Sequence, residues 1–239
     1  MSNTNSVTIS EADGSYISAP HIAAYNVSNI TVECWVYRPS SDVTNKQRGL
    51  IDKGRDGYGG WSLRLDNSTT SSSGAPQKAT WGCRISGSNR YVVASGTYPQ
   101  DTWFHLAATY NGSAMKIYQD GVLVGTTTVT GTLGTTSIAI SAGRFNDGAN
   151  ASIDCKVDEV RVWNVERTVA QIDDNKSVQL VGNETGLILY SKLNNSYTDE
   201  TSNSNNFTGT ASPVFTTDVP FGGGGGLPAN NALAFGGGM

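Results

Sequence analysis

Apolar and polar residues alternate with a period of two along most of the chain, the spacing of strands that bury one face. In Thr31–Tyr37 the alternation puts Val32, Cys34 and Val36 on one side and Glu33, Trp35 and Tyr37 on the other. Leu106, Ala108 and Tyr110 repeat it, and Met115–Tyr118 and Val122–Val124 flank Gln119-Asp120-Gly121. Asp-Gly between two β-rich runs predicts a tight hairpin, because both central residues of that turn need positive φ. Ser137–Ile140, Lys156–Trp163 and Gly186–Leu193 read as further strands. The period changes at Asn164–Ile172, where Val165, Val169 and Ile172 fall at helical spacing and Thr168 is placed to cap. The pattern predicts an all-β fold, a two-sheet antiparallel β-sandwich or jelly roll, with one short surface helix near 165–175.

Composition agrees with many short strands and tight turns. Of 239 residues, 37% are hydrophobic, only 15% are charged and 28 are glycine. One large domain is expected over 1–215. Residues 216–239 differ: Phe221 is followed by five glycines, then Leu227, Leu233 and Phe235, then three more glycines. Such a tail builds no core of its own and is expected to serve as an assembly or docking segment against another chain, making the protein part of an oligomer. A net charge of −4 and a pI near 5.1 give no basic footprint for nucleic acid and no attraction to anionic lipid. The start of the chain shows no signal peptide and no stretch for membrane insertion, so release by a route such as lysis is expected. Cys34, Cys83 and Cys155 show no metal spacing; they read as three buried thiols, or as one Cys34–Cys83 or Cys83–Cys155 bridge with one thiol left over.

Four segments in order resemble a known family. Asp13-Gly14-Ser15-Tyr16-Ile17 is similar to its opening strand. Trp103-Phe104-His105-Leu106-Ala107-Ala108-Thr109-Tyr110-Asn111-Gly112, with Tyr118-Gln119-Asp120-Gly121, resembles its central signature. Val157-Asp158-Glu159-Val160-Arg161-Val162-Trp163-Asn164 resembles its closing strand, and Gly186-Leu187-Ile188-Leu189-Tyr190 with Asp199-Glu200-Thr201-Ser202-Asn203 the segment after the helix. These motifs, over about 10–215, are those of the laminin-G-like jelly roll of the concanavalin A-like lectin/glucanase superfamily. The resemblance implies two packed antiparallel sheets of six or seven strands each. It leaves function open, since members include glycan-binding modules, adhesion domains, pentraxins and glycoside hydrolases.

The candidate chemistry narrows that range. Relatives that hydrolyse glycosides carry a strand of alternating carboxylates, because one group attacks and another donates a proton. No such run exists here, and the alternation puts Asp158 and Glu159 on opposite sides of their strand. His105 falls at a framework position of the family. The resemblance also implies a structural calcium held by Asp158 and the neighbourhood of Asp13; the alternative is that Asp158 caps a turn or pairs with Arg161 or Lys156. A pentraxin-type calcium-dependent ligand site is not expected, since Thr126–Thr136 holds no acidic residue. Trp35, Trp103 and Trp163 read as framework. Loop aromatics with planar polar neighbours suit sugar binding: Tyr58 and Trp61, Arg90 and Tyr91, and Arg144 with Asn146 and Asp147. The same residues also read as ordinary loop aromatics over an edge strand.

Three functions follow in order. The first is a non-enzymatic structural protein of a virion surface, such as a phage capsid decoration, fibre or tail-associated adhesin, with other virion chains and host-surface glycans as partners. The second is an extracellular carbohydrate-binding or cell-adhesion module. The third is a glycoside hydrolase.

Overall fold

The computed structural model describes residues 2–41, 47–66, 77–145 and 152–222. In chain order the strands are β1 (Ser6–Ile9), β2 (Tyr16–Ala19), β3 (Ile30–Tyr37), β4 (Gln47–Lys53), β5 (Trp61–Asp66), β6 (Lys78–Ile85), β7 (Ser88–Val93) and β8 (Trp103–Tyr110). They continue as β9 (Ala114–Gln119), β10 (Val122–Thr128), β11 (Ile140–Ala142), β12 (Cys155–Trp163), β13 (Leu187–Ser191), β14 (Thr208–Thr210) and β15 (Val214–Thr216). Among the described residues, one sheet runs β10-β9-β8-β3-β12-β1-β15, with β13 also on β12, and the second runs β14-β2-β11-β4-β5-β6-β7. All the pairings are antiparallel. The first sheet thus has eight strands and the second seven, against the six or seven expected of each.

The alternating residues meet between the sheets. Val32, Cys34 and Val36 of β3 and Phe104 and Leu106 of β8 are buried with Leu63, Leu65, Trp81 and Cys83 of the second sheet. Each large apolar side chain so buried contributes about 1.5–3 kcal/mol. The three cysteines are buried free thiols, so the bridge alternative falls away. Asp120 and Gly121 have φ of 51° and 84°, as a two-residue hairpin between β9 and β10 requires.

The helix α1 (Val169–Asn175) is capped by Thr168, whose hydroxyl accepts from Gln171 N while the Gln171 amide oxygen accepts from Thr168 N. It is shorter than the 165–175 expected, because the cap fixes its start and Val165 lies before it.

Two expectations are corrected. Trp61 opens β5 and alternates with Leu63 and Leu65, so it is a core residue, 2% exposed and 5.7 Å from the Trp81 ring. Asp158 and Glu159 do not face opposite sides. Asp158 lies across from Trp35 and Arg161 across from Glu33, with a bulge between them and Glu159 at φ 52°. A bulge adds a residue and resets the alternation, so both carboxylates fall on the outer side of the first sheet.

Candidate functional site

The outer face of the second sheet is built from the polar half of the strand alternation. One register row crosses the whole sheet: Tyr91, Gly82, Ser62, Asp52, Ser141, Ser18 and Thr208 lie side by side from β7 to β14. Its middle members are small. Asp52, Ser62 and Ser141 are buried, and the Ser62 hydroxyl has no hydrogen-bond partner.

These floor residues hold the loops above them. The Asp52 carboxylate accepts from Gly54 N (3.0 Å) and Arg55 N (3.1 Å), fixing the turn that carries Arg55 and Tyr58. Gly60 permits that turn to close, since a Cβ there would stand 1.7 Å from the Lys53 carbonyl oxygen. Ser141 Oγ donates to the Arg144 carbonyl and so holds the Arg144–Phe145 loop. Beneath the first turn, Lys53 Nζ donates to the carbonyls of Thr136 (2.6 Å) and Ile138 (3.2 Å) and stands 3.2 Å from His21 Nδ1. Burial pulls this ammonium down to about 8, against the neighbouring Asp52 charge.

Above the floor, guanidinium groups and rings alternate. The Arg55 guanidinium carbon is 5.6 Å from the Tyr58 ring centre and 5.0 Å from that of Phe145. Arg64, from β5, lies 5.9 Å from Phe145 and 5.1 Å from Tyr91. Arg144 stacks on Tyr16 at 4.0 Å. Phe145 is buried between two guanidiniums, whereas Tyr58 at the rim is 52% exposed. The structure therefore joins Tyr58 and Tyr91 through Arg55, Phe145 and Arg64, with Arg144 beside them. It separates Arg90, which pairs with Cys83 and so projects to the side opposite Tyr91. Asn146 and Asp147 lie outside the described residues.

Sequence reasoning missed Tyr16, Arg64 and the stacking roles of Arg55 and Phe145. For Arg64 the signal was present: the alternation in Trp61-Ser62-Leu63-Arg64-Leu65-Asp66 sends Ser62, Arg64 and Asp66 outward as it sends Trp61 inward.

The outer face of the first sheet is closed. Glu33 Oε1 accepts from Trp163 Nε1 (2.8 Å) and Arg167 Nη1 (3.2 Å). Glu159 Oε2 accepts from Arg161 Nη2 and Tyr190 Oη, both at 2.7 Å. Arg161 also donates to the carbonyls of Asn175 and Val178, at the end of α1 and just after it. His105 is buried beside Glu33, and burial with the nearby Arg161 charge pushes its imidazole well below the ordinary range. This cluster is what the closing-strand motif encodes.

The metal expectation does not fit as a joint site. Val7 and Ile9 of β1 pair with Val157 and Cys155, so Asp158 lies toward the start of β1 and Asp13 in the turn beyond its other end. Asp158 pairs with neither Arg161 nor Lys156: its oxygens accept from Asn3 Nδ2 (2.7 Å) and Glu159 N (3.0 Å). Burial and the Glu159 charge push its carboxyl well up. Among the described residues, no three His, Cys, Asp or Glu side chains gather as a metal-binding group.

Contacts with the sandwich continue past residue 215. Asp218 accepts from Trp103 Nε1 (3.0 Å) and pairs with Lys156, and its carbonyl accepts from Ser6 Oγ. Phe221 lies 6.0 Å from the Trp35 ring on its own chain. Leu227, Leu233 and Phe235 lie outside the described residues.

Comparison with known proteins matches this architecture. The family model described as the concanavalin A-like lectin/glucanases superfamily, of laminin-G type, matches residues 11–173. A crystal structure from Bacteroides ovatus, provisionally described as a carbohydrate-binding protein, superposes with a TM-score of 0.72 at 20% identity, covering 91% of this chain and 60% of that one. The heptameric SAP-like pentraxin of Limulus polyphemus gives 0.59 at 11% identity, covering 91% and 97%. The binding domain of Paraclostridial Mosquitocidal Protein 1 gives 0.51 at 13%, covering 67% and 40%. No curated protein sequence matches the chain.

Proposed function

From a chain that belongs to the concanavalin A-like lectin/glucanases superfamily, we propose a non-enzymatic carbohydrate-binding module that reads saccharides on the outer face of its second sheet. The observation that supports this is the row Tyr58, Arg55, Phe145, Arg64 and Tyr91, in which rings and planar guanidiniums alternate. An aromatic face packs on the apolar side of a pyranose ring, and a guanidinium donates to its hydroxyls. The rim aromatic Tyr58 offers the accessible ring and Tyr91 the second.

A glycan array followed by titration tests the reading. Tyr58→Ala and Tyr91→Ala each lower affinity for the bound glycan at least tenfold with an unchanged melting temperature. Absence of binding at millimolar glycan overturns the reading, and turnover of a bound polysaccharide overturns its non-enzymatic part.

An assembly role for the C-terminal segment, on a virion surface or in another extracellular complex, is a second reading. It is favoured by Phe221 against Trp35, a contact on the outer face of the first sheet and not on the proposed glycan face. A chain ending at Gly222 then sediments as a monomer and the full chain as an oligomer; equal masses overturn it.

A further inference from the structure

Among the described side chains, the proposed glycan face has a charge pattern unlike that of the chain as a whole. The chain is net acidic at −4. On this face the carboxylates of Asp52 and Asp66 are both fully buried, and they accept from Gly54 and Arg55 N and from Thr80 Oγ1 respectively. Arg64 is buried with them, but two further cations stand higher. Arg84 of β6 projects outward beside Tyr91, half-buried, with Nη1 donating to Asn89 Oδ1. Arg144 is likewise half-buried, its plane on Tyr16 and its Nε donating to the Phe145 carbonyl. Each engages a neighbour that orients the guanidinium while leaving it partly in solvent. Asp13 stands exposed in the turn beyond Tyr16.

Position adds to charge. Arg84 and Arg144 occupy opposite corners of the face. Between β6 and the loop after β11 lie three strand spacings, and along the strands about five residues, so the two are separated by roughly 20 Å at ~4.8 Å per strand and ~3.3 Å per residue. Tyr91, Arg64 and Phe145 fill the interval. A single sugar cannot reach both corners, whereas an extended polysaccharide can. Arginine forks pair in bidentate fashion with planar carboxylates and with sulfate oxygens, which neutral hydroxyls do not match.

We infer that the ligand is an anionic polysaccharide, bearing carboxylate or sulfate groups, laid diagonally across the second sheet with its charges at Arg84 and Arg144. This inference rests on the carbohydrate-binding reading and goes beyond it in naming the ligand's charge.

The test uses the full chain at about 0.15 M salt, where long-range attraction is screened within ~8 Å. The probes are polygalacturonate beside its fully methyl-esterified form, and chondroitin 4-sulfate beside chondroitin that is both desulfated and methyl-esterified at its uronates. At least one charged form binds tenfold or more tighter than its neutralised counterpart. The double variant Arg84→Gln/Arg144→Gln reduces that affinity to the counterpart's level, while Arg90→Gln, on the other side of β7, binds as wild type. Thermal melting confirms that each variant is folded. Equal binding of charged and neutral forms, or preference for the neutral, overturns the inference and leaves the carbohydrate reading standing. Charged-form binding that survives the double variant, or that Arg90→Gln removes equally, also overturns it, as generic ion exchange. Binding to none of the four overturns it as well, and the glycan array then decides the underlying reading separately.

Discussion

The two outer faces of the sandwich are made of the same residue types and put them to opposite use. On the first sheet, Glu33, Glu159, Arg161 and Arg167 form hydrogen-bonded pairs under α1 and the chain that follows it, and Trp163 and Tyr190 donate into them. On the second sheet, Arg55, Arg64 and Arg144 lie against rings, and the carboxylates sit below as anchors for loops. An ion pair sealed from water is strong only with its partner present, so the first arrangement locks elements together. A guanidinium stacked on a ring is held in a fixed plane, and where it is half-buried at the rim, as at Arg144, that arrangement suits recognition.

The largest effect expected from breaking this contrast is on the sealed face. Arg161→Met leaves Glu33 and Glu159 short of a buried counter-charge and costs about 3–5 kcal/mol; urea unfolding measures it, and a change under 1 kcal/mol shows that the face is not sealed. Trp61→Ala follows, at about 3–5 kcal/mol, because it opens a core cavity against Trp81. Its signature is a lower melting temperature with glycan affinity intact in the folded fraction. Selective loss of binding at unchanged stability returns Trp61 to the ligand face.

A smaller effect is tied to pH. His105 is held neutral in the fold, so below its ordinary value of about 6.5 only the unfolded chain takes up the proton. Stability falls as pH drops through that region, by up to about 1.4 kcal/mol per pH unit. Asp158, with its carboxyl pushed up, acts in the opposite direction over the acid range, so the difference between wild type and His105→Gln isolates the imidazole. Denaturant midpoints from pH 5 to 8 supply that difference; parallel curves for the two proteins refute the assignment.

The framework was legible because it repeats at short range. The alternation of β3 and β8, the Asp120-Gly121 turn and the Thr168 cap each depend on residues a few positions apart. Two misreadings have separate causes. The segment before Trp61 is rich in glycine and reads as loop, which hid the alternation beginning at Trp61 itself. The bulge at Glu159 adds a residue that no period-two reading reveals. The arginine–aromatic row was less legible still: Phe145 meets Arg55 and Arg64 only after β4, β5 and β11 have paired, and nothing in their separate surroundings announces that meeting.

The position of β1 has a consequence for biosynthesis. It lies between β12 and β15, so Ser6–Ile9 is synthesised well before Cys155–Trp163 and Val214–Thr216, the strands that satisfy its two edges. At ~5–20 residues per second that interval is on the order of ten seconds. During that interval both edges of β1 stand unpaired, a template on which the same segment of a neighbouring nascent chain can add a strand.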